Sequence, residues 1–130
     1  MDGEKPDILI DRRTNMDLFC VKKDYTILEA IDRIEAAKNR AVIVLNERDS
    51  VIGVLSQGDI IRALISGKDL RARIESLIRP NFFYIKDYDM RRAYEIFKKF
   101  ELTILPVVDD DFHLKSVITI SDIYRYIDNE

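Results

Sequence analysis

Gly53-Val54-Leu55-Ser56-Gln57-Gly58-Asp59-Ile60-Ile61 and Ser116-Val117-Ile118-Thr119-Ile120-Ser121-Asp122-Ile123-Tyr124 carry one pattern. An apolar run ends in a hydroxyl residue, and an aspartate three positions later opens a second apolar run. The copies stand 63 positions apart, and at that offset residues 19–64 align with 82–127 without a gap and with ten identities. These include Phe19 with Phe82, Lys23-Asp24-Tyr25 with Lys86-Asp87-Tyr88, Ala30 with Ala93, Asp59-Ile60 with Asp122-Ile123, and Arg62 with Arg125. Self-similarity at a fixed offset predicts one structural unit built twice.

Working outward from the motif, each half reads as strand, helix, two strands, helix. In the first half Leu18 to Val21 is a short apolar strand, and Thr26 with Glu29 forms a capping box that opens a helix. Ile27, Ala30, Ile31 and Ile34 then recur at helical spacing as a buried stripe. Ala41 to Leu45 and Val51 to Leu55 flank the polar turn 46–50 as a hairpin. A second helix starts near Ser56, carries Ile60, Ile61, Leu64 and Ile65 at the same helical spacing, and stops at Gly67. The second half copies this plan: strand Phe82 to Ile85, helix stripe Met90, Ala93, Tyr94 and Phe97, hairpin Ile104 to Val108 with Leu114 to Ile118, and a last helix carrying Ile123, Tyr124 and Ile127. The predicted fold class is α/β (α+β), two pseudo-symmetric βαββα repeats over residues 1–67 and 81–130, joined by a linker at 68–80. A half of this size is marginal alone, so the halves are expected to pack together and leave two equivalent clefts.

Composition narrows the function. The chain has 130 residues, a net charge of −3 and a single cysteine. The acidic balance speaks against a general nucleic-acid binder, which needs a concentrated positive surface. No apolar stretch reaches the ~18 residues of a membrane span, and Met1-Asp2-Gly3-Glu4 does not read as a signal peptide. The expected location is the cytoplasm. Cys20, within Leu18-Phe19-Cys20-Val21, reads as a small buried hydrophobe. His113 lies beside Asp109-Asp110-Asp111 in what reads as an exposed turn, without the clustered His and Cys of a metal site. With one histidine, one cysteine and no glycine-rich phosphate loop, the chain is not expected to be an enzyme. Arg71, Arg73, Arg79, Arg91 and Arg92 form a basic cluster that reads either as a solvated face or as a counter-charge for an anion.

The motif itself has two readings. Ser56-x-x-Asp59 and Thr119-x-x-Asp122 are capping boxes, and capping alone explains the spacing. The same geometry places a helix N-terminus and a hydroxyl at the end of a strand, where they suit a phosphate. Asp59 and Asp122 are then better placed to accept from ribose hydroxyls than to face the phosphate.

The repeat plan, the doubled motif and Leu105-Pro106-Val107-Val108-Asp109 together resemble paired CBS domains, the Bateman module, over nearly the whole chain. Gly53 to Arg79 is similar to the CBS pairs associated with sugar nucleotidyltransferases. The resemblance implies a cleft that binds AMP, ADP or ATP as a regulatory ligand, with no required cofactor, in a homodimer. By motif position it implies Asp59 and Asp122 at the ribose and Ser56 and Thr119 at the phosphate. It also implies Cys20, Val21, Phe83 and Tyr84 beside the adenine, and Arg40 and Thr103 as polar groups directed into the cleft. For Arg40 a solvated position is an equal alternative. Ser116 stands where the first half has Gly53, and Pro106 where it has Ile43, so the two clefts need not bind equally. The implied function is a ligand sensor acting on an attached or separate enzyme or partner protein. The alternatives are a ligand-free dimerisation scaffold and the excised regulatory domain of a sugar nucleotidyltransferase.

Overall fold

A computed structural model describes residues 16–129. The first repeat comprises β1 (Cys20–Lys22), α1 (Ile27–Ala37), β2 (Ala41–Leu45), β3 (Val51–Ser56) and α2 (Gln57–Ile65). A 3-10 turn at Ile74–Leu77 follows, and the second repeat comprises α3 (Met90–Phe100), β4 (Ile104–Val108), β5 (Leu114–Thr119) and α4 (Ile120–Asp128). β1 runs parallel to β2, which pairs antiparallel with β3 in the register Val42 to Leu55 and Val44 to Gly53. β4 and β5 form the equivalent hairpin, with Leu105 opposite Ile118.

Side-chain alternation along a strand divides β2 between two cores. Val42 and Val44 join Ile27, Ala30, Ile34, Leu55 and Ile60 under the helices of the first repeat. Ala41, Ile43 and Leu45 face the other way and meet Ile104 and Val108 of the second repeat. Every residue of β2 and β4 is therefore buried, which is why both read as unbroken apolar runs rather than alternating ones. A third core, with Leu105, Val107, Ile118, Ala93 and Phe97, repeats the first. Thr26, Ser56 and Thr119 all close capping boxes at their helix starts, and Gly67 takes a φ of +103° just beyond α2.

Two expectations are corrected. The strand foreseen at Phe82 to Ile85 is reduced to a single bridge, Ile85 beside Val107. In the first repeat the Ile43 amide donates to the Phe19 carbonyl at 2.8 Å. Its counterpart is Pro106, which has no N–H to offer Phe82. Secondly, helical spacing groups Ile61 and Ile65 with Ile60, and Tyr124 and Ile127 with Ile123, yet these four are exposed, Ile65 to 80% and Tyr124 to 61%. α2 and α4 bury Ile60 with Ala63 and Ile123, and turn a second apolar edge outward.

Residues 68–80 do more than connect. The amides of Ile27 and Leu28, left without intrahelical partners at the start of α1, donate to the carbonyls of Ala72 and Leu70 at 2.9 and 3.0 Å. Ile74 is fully buried in the first core. Among the described residues no helix is long and apolar enough to cross a membrane.

Candidate functional site

Each motif sits where the last strand of a repeat turns into its last helix. At the second copy, the Asp122 amide donates to Thr119 Oγ1 at 3.3 Å, and Thr119 N and Oγ1 return bonds to Asp122 Oδ2 at 2.9 and 3.2 Å. Asp122 Oδ1 pairs with Arg125. At the first copy the Asp59 amide donates to Ser56 Oγ at 3.1 Å and Ser56 N donates to Asp59 Oδ2 at 3.0 Å. Arg62 Nη2 lies 2.6 Å from Asp59 Oδ1. The capping reading is thus realised at both motifs, and each aspartate spends its second oxygen on the arginine one turn on.

The surroundings of the two motifs differ. Thr119, Ser121, Asp122 and Arg125 line a cleft of about 260 Å³ whose opposite wall comes from the first repeat, with Met16, Phe19, Ala37 and Asn39. At the offset of 63, Met16 corresponds to Arg79, Ala37 to Phe100, Asn39 to Leu102 and Ser116 to Gly53. Arg79 Nη2 reaches 3.5 Å from Asp59 Oδ1, and Phe100 stacks on Phe83 with ring centres 4.4 Å apart. A Cβ added at Gly53 would meet Ile78 Cγ2 at 2.6 Å and the Arg79 carbonyl at 3.1 Å. The residues following the 3-10 turn therefore press onto the first motif. Burial works to raise the Asp59 carboxyl. The Ser56 amide, the Arg62 guanidinium, the Ser56 hydroxyl and the Arg79 charge outweigh it and hold the group below the usual aspartate range.

Ser56 with Asp59, and Thr119 with Asp122, are brought together as expected. Cys20 and Val21 are placed elsewhere. Both are buried and line a separate cavity of about 470 Å³ with Lys22, Asp49 and His113. The Cys20 thiol donates to the Met16 carbonyl at 3.1 Å, and burial, with the Asp17 charge beside it, pushes its pKa up to about 12. Phe83 and Tyr84 are exposed and belong to aromatic contacts, Phe83 on Phe100 and Tyr84 on Phe112. Arg40 and Thr103 line a third cavity of about 600 Å³. It is built from residues paired by the repeat, Ile34 with Phe97, Lys38 with Glu101, Arg40 with Thr103 and Gln57 with Ile120, so it lies on the approximate two-fold axis. Lys38, Asn39 and Ile120 belong to both this cavity and the Asp122 cleft, so the two adjoin. Asn39 Nδ2 also ties the repeats together by donating to the Thr103 carbonyl at 3.2 Å.

Several lining residues were not singled out from the sequence. Arg62, Arg125 and Phe19 carried a signal, being identical across the repeat, whereas Met16 and Asn39 become recognisable only when the first repeat is seen to wall the motif of the second. Asp109, Asp111 and His113 place their ligand atoms within 4.8 Å of one another in an exposed turn, where Asp109 Oδ1 accepts from the amides of Asp111 and His113 at 2.9 Å.

Known proteins share this arrangement. The chain is 29% identical over 90 residues to the magnesium transporter MgtE of Thermus thermophilus, covering 68% of this chain and 19% of that protein. It is 31% identical over 107 residues to the inosine-5'-monophosphate dehydrogenase of Aquifex aeolicus, covering 81% and 21%. It thus spans about a fifth of the length of these curated relatives. The fold is similar to that of the CBS domain protein PAE2072 from Pyrobaculum aerophilum complexed with AMP, with a TM-score of 0.69 at 16% identity over 89% of this chain and 98% of that one. It is also similar to the cytosolic domain of the Mg2+ channel MgtE in complex with ATP, with a TM-score of 0.65 at 25% identity over 82% and 44%. The family model for the CBS domain matches residues 9–66 and again 74–129. The chain belongs to the CBS domain family, as a tandem pair of CBS domains.

Proposed function

We propose that this CBS pair is a non-catalytic regulatory module that takes one adenosine nucleotide, of the AMP, ADP or ATP kind, in the Asp122 cleft. The observation that carries the reading is the place of the second motif: Thr119 and Asp122 line a polar cleft whose other wall comes from the first repeat, whereas at the first motif Arg79 lies on the Asp59 carboxylate. The cleft of about 260 Å³ lies just below the size range of small-molecule sites, and with the adjoining axial cavity of about 600 Å³ it falls within that range. In this reading the ribose hydroxyls take over Asp122 Oδ1 from Arg125, which turns to the phosphate with Thr119 and Ser121. The AMP and ATP complexes of similar CBS proteins support that ligand class.

A ligand held by Met16, Phe19 and Asn39 on one side and Thr119 and Asp122 on the other binds some packings of the repeats better than others. That difference biases their equilibrium. The bias is read by an attached or separate enzyme or partner protein in the cytoplasm. The sequence likeness of Gly53 to Arg79 makes a sugar nucleotidyltransferase one partner to test.

Isothermal titration calorimetry with AMP, ADP and ATP tests the site. Hydrogen bonds to charged groups contribute about 1.5–3 kcal/mol, so Asp122→Asn is expected to weaken binding about tenfold or more, while Asp59→Asn leaves it within about twofold. Equal losses in both variants, or full affinity in Asp122→Asn, refute the assignment. The outward edges of α2 and α4 favour a homodimer, and if no nucleotide binds, a ligand-free dimerisation scaffold is the reading that remains.

A further inference from the structure

α2 carries Asp59, Arg62, Ala63 and Ser66 along one stripe, at the spacing that places residues on the same helix face. The returning segment 76–79 lies beside this stripe, and the two flank an open groove of about 380 Å³. Three cations meet there: Arg62 from the helix, Lys68 from just beyond its end and Arg79 from the returning segment. The groove holds one carboxylate, Asp59, and both guanidinium groups address the same oxygen of it, at 2.6 and 3.5 Å. Lys68 Nζ has a neutral partner, donating to Ser76 Oγ at 3.3 Å. Three positive groups against one negative leave a surplus of two charges in the groove of a chain whose net charge is −3. Each guanidinium has five N–H donors in a rigid fork, and one shared carboxylate oxygen cannot accept them all.

The wider basic cluster seen in the sequence does not assemble around this groove. Arg73 donates to the Asp24 carbonyl at 2.5 Å and Arg91 pairs with Glu95 at 3.6 Å, and of that set only Arg79 lines the pocket. A short groove with a surplus of two charges, forked donors and a hydroxyl suits a single compact dianion better than an extended polyanion. A phosphate near neutral pH carries about −1.5 to −2 charges.

We propose that this groove binds a phosphate group, either inorganic phosphate or a small phosphomonoester, held by Arg62, Lys68 and Arg79 with Ser76. The site is independent of the nucleotide reading and shares no residue with the Asp122 cleft. A phosphate there competes with Asp59 for Arg62 and Arg79, and clamps the segment that follows the 3-10 turn onto α2.

The test is a titration of the full chain with inorganic phosphate, and in parallel with glycerol 3-phosphate, followed by 1H–15N NMR at constant ionic strength set with sodium chloride. Saturable shifts at the amides of Ser66, Lys68, Ser76 and Arg79 are expected. Lys68→Ala and Arg79→Ala should each weaken binding about fivefold or more, and Asp122→Asn should leave it unchanged. Lys68 and Arg79 side chains are exposed, and Lys68→Glu gives a second, charge-reversing check that leaves the packing of Arg79 untouched. Tighter binding of the ester assigns the site to a phosphomonoester, and tighter binding of the free ion assigns it to inorganic phosphate. Shifts that do not saturate, affinity unchanged in Lys68→Ala and Lys68→Glu, or shifts centred on Thr119 and Asp122 overturn the proposal. The last result would place phosphate in the nucleotide cleft, and loss of nucleotide binding alone would leave this groove untouched.

Discussion

Replacing Gly53 with alanine tests whether the segment after the 3-10 turn is packed against the first motif tightly enough to close it. Gly53 is buried in β3 opposite Val44, and a Cβ there would sit 2.6 Å from Ile78 Cγ2, 3.1 Å from the Arg79 carbonyl and 3.9 Å from Ile78 Cβ. Neither neighbour is the far end of a flexible side chain. Cγ2 is attached to Cβ of a β-branched residue with restricted χ1, and the carbonyl is main chain. Relief therefore requires residues 78–79 to move, which draws Arg79 away from Asp59. Overpacking of this kind costs about 1–3 kcal/mol. Replacing a glycine with ordinary φ by alanine returns about 0.4–1 kcal/mol through the unfolded chain. Taking the middle of each range, the net expectation is a loss of about 1.3 kcal/mol. Urea unfolding followed by far-ultraviolet circular dichroism should show a lower midpoint with an unchanged slope. Ser116→Ala, in the wall of the open cleft, should stay within about 0.5 kcal/mol of wild type. A Gly53→Ala protein as stable as wild type, or more so, would refute the argument, because it would mean that residues 78–79 yield at no cost.

Three further outcomes follow from the same contacts. The Cys20 thiol, pushed up to about 12 by burial and the Asp17 charge, should resist a thiol reagent at pH 8 in the folded protein and react fully once urea unfolds it; rapid labelling of the native chain would contradict its placement. Asp59 is depressed in the folded state, so the stability it contributes is complete above its unfolded value and is lost as pH falls through the folded one. Wild type should accordingly lose that contribution below about pH 4, and Asp59→Asn should show a flatter acid limb in its urea midpoints; parallel curves would count against the capping carboxylate. Ile65→Asp combined with Tyr124→Asp should convert a dimer to a monomer in sedimentation experiments while leaving the circular dichroism spectrum intact, since both side chains are exposed and outside the cores; an unchanged sedimentation coefficient would rule this edge out as the interface.

The repeat and its element order were legible because they rest on local chemistry: capping boxes at Thr26, Ser56 and Thr119, and apolar runs long enough to be buried on both faces. Helical spacing, however, marks apolar residues without saying which neighbour covers them. The stripe through Ile60, Ile61, Leu64 and Ile65 is wider than the core it meets, and its outer edge at Ile61 and Ile65 stays exposed. The motif aspartates were found for the same reason as the caps, through spacing. Their partners were not, because Met16, Phe19 and Asn39 stand opposite Asp122 only after the two repeats have docked. Lys68 and Arg79, at the two ends of the connecting segment, meet over α2 only because the buried Ile74 turns the chain back between them.

The asymmetry between the first strands of the two repeats follows from a single missing donor. In the first repeat the Ile43 amide holds the Phe19 carbonyl at 2.8 Å and the Lys23 amide reaches the Leu45 carbonyl at 2.9 Å, so β1 is fixed along β2. That keeps Phe19, with Met16 preceding it, as a wall of the Asp122 cleft. In the second repeat Pro106 offers no hydrogen, and pairing is confined to Ile85, which donates to the Pro106 carbonyl at 3.1 Å and accepts from the Val108 amide at 2.9 Å. Released from the sheet, residues 82–84 satisfy their rings instead. Phe82 and Tyr84 lie against Phe112, and Phe83 stacks on Phe100, the residue that stands where the open cleft has Ala37. One backbone N–H present in the first repeat and absent from the second thus separates a strand that walls the Asp122 cleft from an aromatic segment held by its own ring contacts.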